Sequence, residues 1–157
     1  MLTLFSRLSL GARPRVLGRA LYLALLIAVG CGFQKHSEAG LVFKNWYVIK
    51  PVVAGSGSVA YGTIKNESAA PQILKKVEFG CAAGSELHET ITEGSRVRMA
   101  PLPPLTIHPG DFSLFEPGHK HVMLQKIEIP GDGKCPAVFT FESAVVRFSV
   151  SIRERQK

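Results

Sequence analysis

Acidic residues are absent from the first 30 positions of this 157-residue chain, whereas four arginines lie there. The apolar run ALYLALLIAVG (residues 20–30) follows the last of these arginines. A basic segment followed by about ten apolar residues is typical of a secretory signal peptide, because a membrane-spanning helix needs roughly 20. We therefore predict a signal peptide over residues 1–31; a buried core helix or a short membrane anchor is the alternative.

Basic charge is scarcer than the total suggests. The full chain has a formal net charge of +7, but setting aside the four arginines of the signal leaves 15 basic against 12 acidic residues, a net charge of +3. No stripe of basic residues with interleaved aromatics remains. The sequence therefore argues against a nucleic-acid partner.

Motifs of the common enzyme classes are missing as well. The chain has no glycine-rich phosphate loop, no G-x-S-x-G nucleophile elbow and no H-E-x-x-H zinc motif. The segment LHET (residues 87–90) contains His-Glu but lacks the second histidine, and the acids are scattered without an obvious acid–base pair. Catalytic pairs need not be adjacent in sequence, but on this pattern we predict that the protein is not an enzyme.

Cysteine occurs only three times. Cys31 ends the stretch IAVGC, which resembles a bacterial lipobox, after which the cysteine is lipidated and its acyl chains anchor the protein to a membrane. Ala28 stands where leucine is usual, and ordinary cleavage nearby, for example after Ala39, is the alternative.

Cys81 and Cys135 remain as an even pair in an oxidising compartment, where a disulfide would close a loop of about 54 residues and contribute about 4 kcal/mol. Two buried free thiols, or a thiolate in a metal site, are the alternatives.

Helical periodicity is absent after the signal, and strand patterns punctuated by glycine and proline take its place. Seven to nine short strands are predicted, including LVFKNWYVI, SVAYGTIKN, SELHETI, SRVRMAP and HVMLQKIEI, which favours an all-β fold, a β-sandwich or Greek-key barrel. The segment APLPPL (residues 100–105) cannot be a central strand and marks an edge or a crossing loop. We predict a polar tether over residues 32–40, one domain over 41–152 and a solvated tail over 153–157.

Methionine is rare too, and its placement is informative. Apart from the initiator it occurs only as Met99 and Met123, each near a histidine. Positions i and i+2 of a strand face the same way, so His121 and Met123 can share one ion. Adjacent strands would likewise bring His88 alongside Met99. Two thioethers and two imidazoles make a neutral, soft site that selects Cu(I). Alternatively, Met123 fills a gap in the core.

The spacing of these four residues resembles the motif of the periplasmic copper chaperone family written PCu(A)C. In that motif His (or Met), Met, His and Met are separated by ten, twenty-one and one residues, and here residues 89–98, 100–120 and 122 fill the three gaps. Other segments that resemble the family are NWYV, VAYGTIKN, ELHET, PGHKHVML and AVFTFE. The resemblance covers the chain from about Leu41 to Val150.

The resemblance implies a cupredoxin-like (immunoglobulin-like) β-sandwich with a surface-accessible Cu(I) site. Its ligands would be His88, Met99, His121 and Met123. It further implies delivery of copper to respiratory oxidase assembly, with a cytochrome c oxidase subunit or its assembly factor as the acceptor. We expect a periplasmic or otherwise extracytoplasmic monomer, attached to a membrane only through a lipid on Cys31.

Two features depart from the family motif. His119 stands where the family usually has glycine, and it is either an auxiliary metal ligand or a plain turn residue; His108 and His36 are expected in solvent. The pair Cys81 and Cys135 is not part of the motif, which leaves open a disulfide staple or a redox role.

Three other functions stay open. The same site could sequester copper or confer resistance instead of delivering it. A metal-free structural or interaction lipoprotein would place His88 and His121 far apart. A thiol–disulfide oxidoreductase would need Cys81 and Cys135 exposed and redox active, although neither lies in a C-x-x-C motif.

Overall fold

A computed structural model describes residues 40–155 and the backbone of residues 35–36. All of them belong to one compact unit, Phe33–Lys157. The predicted signal peptide, Cys31 with its lipobox, most of the predicted tether and the last two residues lie outside the described residues. In the described part of the chain no helix is long and apolar enough to cross a membrane.

The described residues form eleven β-strands. They are β1 (Lys35–His36), β2 (Leu41–Ile49), β3 (Ser58–Asn66), β4 (Gln72–Phe79), β5 (Ala82–Glu93), β6 (Arg96–Pro101), β7 (Leu105–Ile107), β8 (Phe112–Phe115), β9 (Lys120–Ile127), β10 (Lys134–Phe141) and β11 (Val145–Arg153). The all-β fold predicted from the sequence is confirmed, and the predicted limits of β2 and β3 coincide with the observed ones.

The strands hydrogen-bond in the order β6-β5-β9-β8-β3-β2-β11-β10-β4-β7, with β1 on β2 and a further pairing of β9 with β3. Neighbours are antiparallel except β11 with β2 and β8 with β9. The strand set folds over one apolar core, so that it forms a sandwich. Strands β6 and β7 end the order as edge strands, and the proline-rich segment APLPPL joins them, as its composition predicted.

The burial pattern of β3 shows which face of the sheet near the candidate ligands packs on the core. Every second residue from Ser58 to Asn66 is buried, and the intervening ones are half-buried. This alternation is the pattern of a strand with one face on the core. Val59 and Tyr61 therefore lie on the outer face, away from the core.

A bulge in β2 directs the single tryptophan into the core. The register of β2 on β3 shifts between Lys44 and Tyr47, and Asn45 has a positive φ of 54°. In a regular strand, residues three apart face opposite ways, but the extra residue lets Phe43 and Trp46 both face the core. It also leaves Tyr47 on the outer face. Asparagine is one of the few residues that tolerate the left-handed conformation needed here.

Trp46 packs flat on β3 because position 62 has no side chain. A Cβ on Gly62 would lie 2.3 Å from Cδ2 of Trp46, closer than any real contact. The indole N–H donates to the Thr63 carbonyl at 3.0 Å, and the ring centroid lies 4.7 Å from that of Phe139. This packing holds β3, the neighbour of β9, against the core.

A disulfide joins Cys81, in the turn between β4 and β5, to Cys135 on β10. The two cysteines are 54 residues apart, and both are buried. The bond ties the start of β5, which carries one candidate ligand, to a strand of the other half of the sandwich. A buried disulfide of this kind argues against a thiol–disulfide oxidoreductase, whose cysteines must be accessible.

Both predicted flanking segments take part in the fold. Lys35 and His36, within the predicted tether, pair with Phe43 and Val42 of β2. In the predicted tail, Arg153 still belongs to β11, where its guanidinium lies 4.7 Å from the ring centroid of Tyr47. A run of charges suggests a solvated tail, but a guanidinium can stack on an aromatic ring while its edges stay in water.

Candidate metal centre

The four predicted ligands lie on three neighbouring strands, β6, β5 and β9. His88 on β5 is directly opposite His121 on β9, and Thr90 on β5 is directly opposite Met99 on β6. Directly opposed residues share a face of a sheet, and so do residues two apart on one strand. The side chains of His88, Met99, His121 and Met123 therefore all project from one face. The two cross-strand pairings, which no local pattern reveals, bring the four together.

This face is the outer one. The alternate residues Leu87, Val122 and Leu124 belong to the core, so their neighbours on β5 and β9 point away from it. His121 is nevertheless only 2% exposed. A buried imidazole on an outer face would normally need hydrogen bonds to both nitrogens.

The two imidazoles each leave one nitrogen without a partner. Their ring centroids are 5.9 Å apart, with an angle of 59° between the planes. His88 Nδ1 and His121 Nε2 are two of the three buried side-chain nitrogen or oxygen atoms that make no hydrogen bond in the described part of the chain. An unsatisfied buried polar atom costs about 1–3 kcal/mol, so two at one place indicate a missing binding partner.

The backbone of His119 selects the free nitrogen of His121. Nδ1 of His121 lies 3.1 Å from the His119 carbonyl oxygen. A carbonyl only accepts, so Nδ1 carries the proton and Nε2 keeps the lone pair that a metal needs. The His119 side chain is 71% exposed, and its Nε2 lies 3.8 Å from a Glu116 carboxylate oxygen. His119 thus acts on the site through its backbone carbonyl, which every residue type possesses, so the sequence pointed to the side chain of His119 but could not show this role.

Glu86 selects the free nitrogen of His88 in the same way. Its Oε2 lies 3.1 Å from Nε2 of His88, so that Nε2–H donates and Nδ1 is left with the lone pair. The other oxygen, Oε1, accepts from Nε2 of Gln125 at 3.4 Å. Carboxylates commonly orient metal-binding histidines from outside the ligand set. Sequence reasoning missed Glu86, although its position two residues before His88 could have suggested it.

Residues 41–151 match the family model described as "Putative lipoprotein LpqE-like". The chain belongs to the LpqE-like family. No curated protein matches it.

Solved PCuAC domains share the fold of this LpqE-like chain. The copper-bound PCuAC domain from PmoF2 superimposes with a TM-score of 0.61 at 17% sequence identity, over 74% of this chain and 94% of that domain. The apo PCuAC domain from PmoF1 gives a TM-score of 0.62 at 17% identity, over 74% and 95%. The resemblance to the PCu(A)C family seen in the sequence, and the β-sandwich that it implied, are therefore confirmed.

Two imidazoles alone do not complete a metal site in the LpqE-like domain. Among the residues described, no group of three or more His, Cys, Asp or Glu side chains is arranged to hold a metal ion. The two thioethers on the same face are the donors that could complete such a site. Met99 is the diagonal neighbour of His88 across β5 and β6, about 7–8 Å away at Cα, a gap that a three-bond flexible side chain can span. Together the four side chains would offer two nitrogens and two sulfurs, a donor set that suits Cu(I) better than a hard cation.

Exposure differs among the four side chains, with His121 the least and Met99 the most exposed. His121 is buried, the His88 side chain is 15% exposed, Met123 is half-buried and Met99 is 58% exposed. The imidazoles thus form the floor of the site, and the Met99 thioether lies at its open side. His108 is exposed in the turn after β7, as expected.

Proposed function

We propose that this LpqE-like protein binds one Cu(I) ion through His88 Nδ1, His121 Nε2 and the sulfurs of Met99 and Met123, and passes it to an acceptor protein outside the cytoplasm. The observation that carries the proposal is the pair of buried imidazole nitrogens without partners on the face that also presents both thioethers. The metal-free alternative expected His88 and His121 far apart, and their direct cross-strand pairing argues against it.

The donor set suits a carrier. Imidazoles and thioethers bind metal as neutral groups, so no thiol has to lose a proton when the ion enters. Thioethers, unlike thiolates, are not lost to disulfides in an oxidising compartment. Cu(I) enters and leaves as Cu(I), so the cycle needs no electron donor. Without a thiolate the affinity should be moderate, which favours transfer over storage.

Transfer would proceed by stepwise ligand exchange from the exposed side. Met99 is the most accessible ligand, so an incoming thioether or imidazole of the acceptor replaces it first. Met123 follows, and the buried His121 releases the ion last. At each step the ion keeps protein ligands, so it never passes free through solution.

The destination is proposed from the family resemblance. Delivery to respiratory oxidase assembly, with a cytochrome c oxidase subunit or assembly factor as acceptor, is what the PCu(A)C motif implies. The copper-bound PCuAC domain from PmoF2 supports copper as the cargo. The lipoprotein description of the family supports an extracytoplasmic protein. We assign its lipid anchor to Cys31 from the lipobox-like sequence before that residue.

A Cu(I) titration with X-ray absorption tests the site. The domain should bind one equivalent of Cu(I) and show sulfur scattering at a thioether distance. Met99→Leu and Met123→Leu together should lower the affinity by more than about tenfold, since a ligand matters at least as much as its supporting residues. His108→Ala, which removes a distant exposed histidine, is the control. Binding without sulfur scattering, or an unchanged affinity in the double variant, contradicts the site.

Delivery and sequestration differ in the cell. If the protein delivers copper, a deletion strain loses oxidase activity and added copper restores it. Copper sensitivity with normal oxidase activity would instead establish sequestration.

A further inference from the structure

A groove lies beside the candidate metal centre on the same outer face. It has a volume of about 370 Å³ and is lined by residues of β2, β3 and β11, by Glu154 and Arg155 just after β11, and by Pro117. Val59, in its wall, is directly opposite Met123. Directly opposed side chains lie about 4.5–5.5 Å apart at Cβ, so the groove and the metal ligands are contiguous. Pro117 extends the contact, because it belongs to the turn that leads into His119 and His121.

Two guanidinium groups line the groove, and no acidic side chain in the described part of the chain pairs with either. Arg153 stacks on Tyr47, and its Nε donates to Ser151 Oγ at 3.3 Å. Neither Arg153 nor Arg155 forms a salt bridge with any described residue. The one carboxylate in the lining, Glu154, is taken by Lys50 at 2.5 Å.

The tyrosine in the floor supplies no compensating charge. Burial raises the pKa of the Tyr61 hydroxyl, and the neighbouring Tyr47 raises it further, while Arg155 acts in the opposite direction. The phenol therefore stays neutral, and it can donate a hydrogen bond to an anion. Two cations, two aromatic rings and a proline make a surface complementary to carboxylates on an extended chain.

We propose that this groove binds an acidic peptide segment of the copper acceptor and thereby holds the acceptor's own ligands next to Met123 and Met99. The inference rests on the proposed function. Any acceptor must approach this face to exchange ligands, so a cationic groove adjoining the ligands lies within the area that the acceptor covers. An anionic membrane on the same surface would instead block the open side of the site, which is why we favour a protein segment. The volume suits a few side chains rather than a folded surface.

Titration of the ¹⁵N-labelled mature domain with an acetylated hexaglutamate peptide tests the groove. We expect shifts of the amide signals of Val59, Tyr61 and Arg155, and weaker binding at higher salt. Arg155→Gln should raise the Kd about three- to tenfold, because one charge-assisted contact is lost. Lys134→Gln removes one charge from an exposed residue at the start of β10, and it should leave the Kd unchanged. A hexaglutamine peptide should cause no shifts.

Three outcomes overturn the proposal. They are the absence of shifts, shifts away from the groove, and equal effects of the two substitutions. A fourth is binding to phosphatidylglycerol vesicles that depends on Arg155 while the peptide does not bind, which would assign the groove to a membrane. Cu(I) affinity is measured in parallel: if Cu(I) binds and the peptide does not, only the docking groove fails. If Cu(I) does not bind, the proposed function fails, and peptide binding then has no connection with copper transfer.

Discussion

His88 and His121 face each other across β5 and β9, and each leaves a different nitrogen free. Glu86 takes Nε2 of His88, and the His119 carbonyl takes Nδ1 of His121. The free nitrogens, Nδ1 and Nε2, are both buried and have no partner. If the pair binds an ion as proposed, its rings are already oriented for it, and the ordering cost of binding would be correspondingly small.

Removal of the Glu86 carboxylate should weaken Cu(I) binding. Glu86→Ala frees the imidazole of His88 to adopt the other tautomer, and we expect the affinity to fall about tenfold, the lower end of the range for residues that orient ligands, because this carboxylate is half exposed. Competition with a chromophoric Cu(I) chelator measures the affinity, and ¹⁵N shifts of the His88 ring report the tautomer. Glu86→Gln, which keeps an acceptor oxygen, should restore most of the binding. The control is Glu78→Ala, which removes a carboxylate paired with Lys76 on β4. An unchanged tautomer in Glu86→Ala would contradict the assigned role.

The side chain of His119 should matter little. Its carbonyl, not its imidazole, contacts the site, so His119→Ala should change the Cu(I) affinity by less than about threefold. His121→Ala should lower it far more, because a buried ligand is lost. The same chelator competition compares the two variants. A tenfold loss in His119→Ala would instead establish His119 as an auxiliary ligand.

A side chain at position 62 should destabilise the fold. Gly62→Ala places a Cβ only 2.3 Å from Cδ2 of Trp46, and overpacking of this kind costs about 1–3 kcal/mol or more. Urea unfolding measures the loss. Gly131→Ala is the matched control, because a Cβ there meets nothing within 4 Å. Equal stabilities of the two variants would show that β2 can move to accommodate the methyl group.

Loss of the disulfide should lower stability without changing metal affinity. Replacing Cys81 and Cys135 together by alanine should reduce the free energy of unfolding by about 2–4 kcal/mol, because the 54-residue loop gains freedom in the unfolded chain. The four proposed ligands do not include either cysteine, so Cu(I) affinity at a temperature where the variant is folded should stay the same. Calorimetry and the Cu(I) titration measure the two quantities. A fall in affinity without a fall in stability would bring back a metal role for a thiolate.

Tyr61 should make stability fall in strongly alkaline solution. Its pKa in the folded protein is raised above the ordinary value of 10.0, so between the two values the unfolded chain loses the proton first. The contribution of the neutral Tyr61 hydroxyl to the free energy of unfolding is complete below about pH 10. It is lost as the pH rises through the pKa of the folded protein. The unfolding free energy of the wild type minus that of Tyr61→Phe should therefore be constant from pH 7 to 9 and decrease above pH 10. Urea unfolding at each pH measures it; a difference that grows above pH 10 would reverse the sign.

The limits of a strand were predictable where the sequence of that strand alone marks its buried face and its end. In β3 the alternation from Ser58 to Asn66 marks both faces, and the turn-forming segment after it marks the end. The start of β1 and the end of β11 were not predictable, because Lys35 and Arg153 are charged and their positions depend on contacts with β2. The bulge at Asn45 was also not predicted, because an asparagine that can adopt the left-handed conformation is as typical of a turn as of a bulge.

Two things about the site follow from the chain itself: which four residues have the chemistry for Cu(I), and that His121 and Met123 share a face. Both depend on residue type and on the two-residue period of a single strand. The tertiary structure decided that β5 pairs with β9 in the register that opposes His88 and His121. It also decided which nitrogen each ring presents, and that the groove adjoins the site. Register between distant strands is set by burial of a whole face, and a hydrogen bond from Glu86 or the His119 carbonyl exists only once those strands are in place.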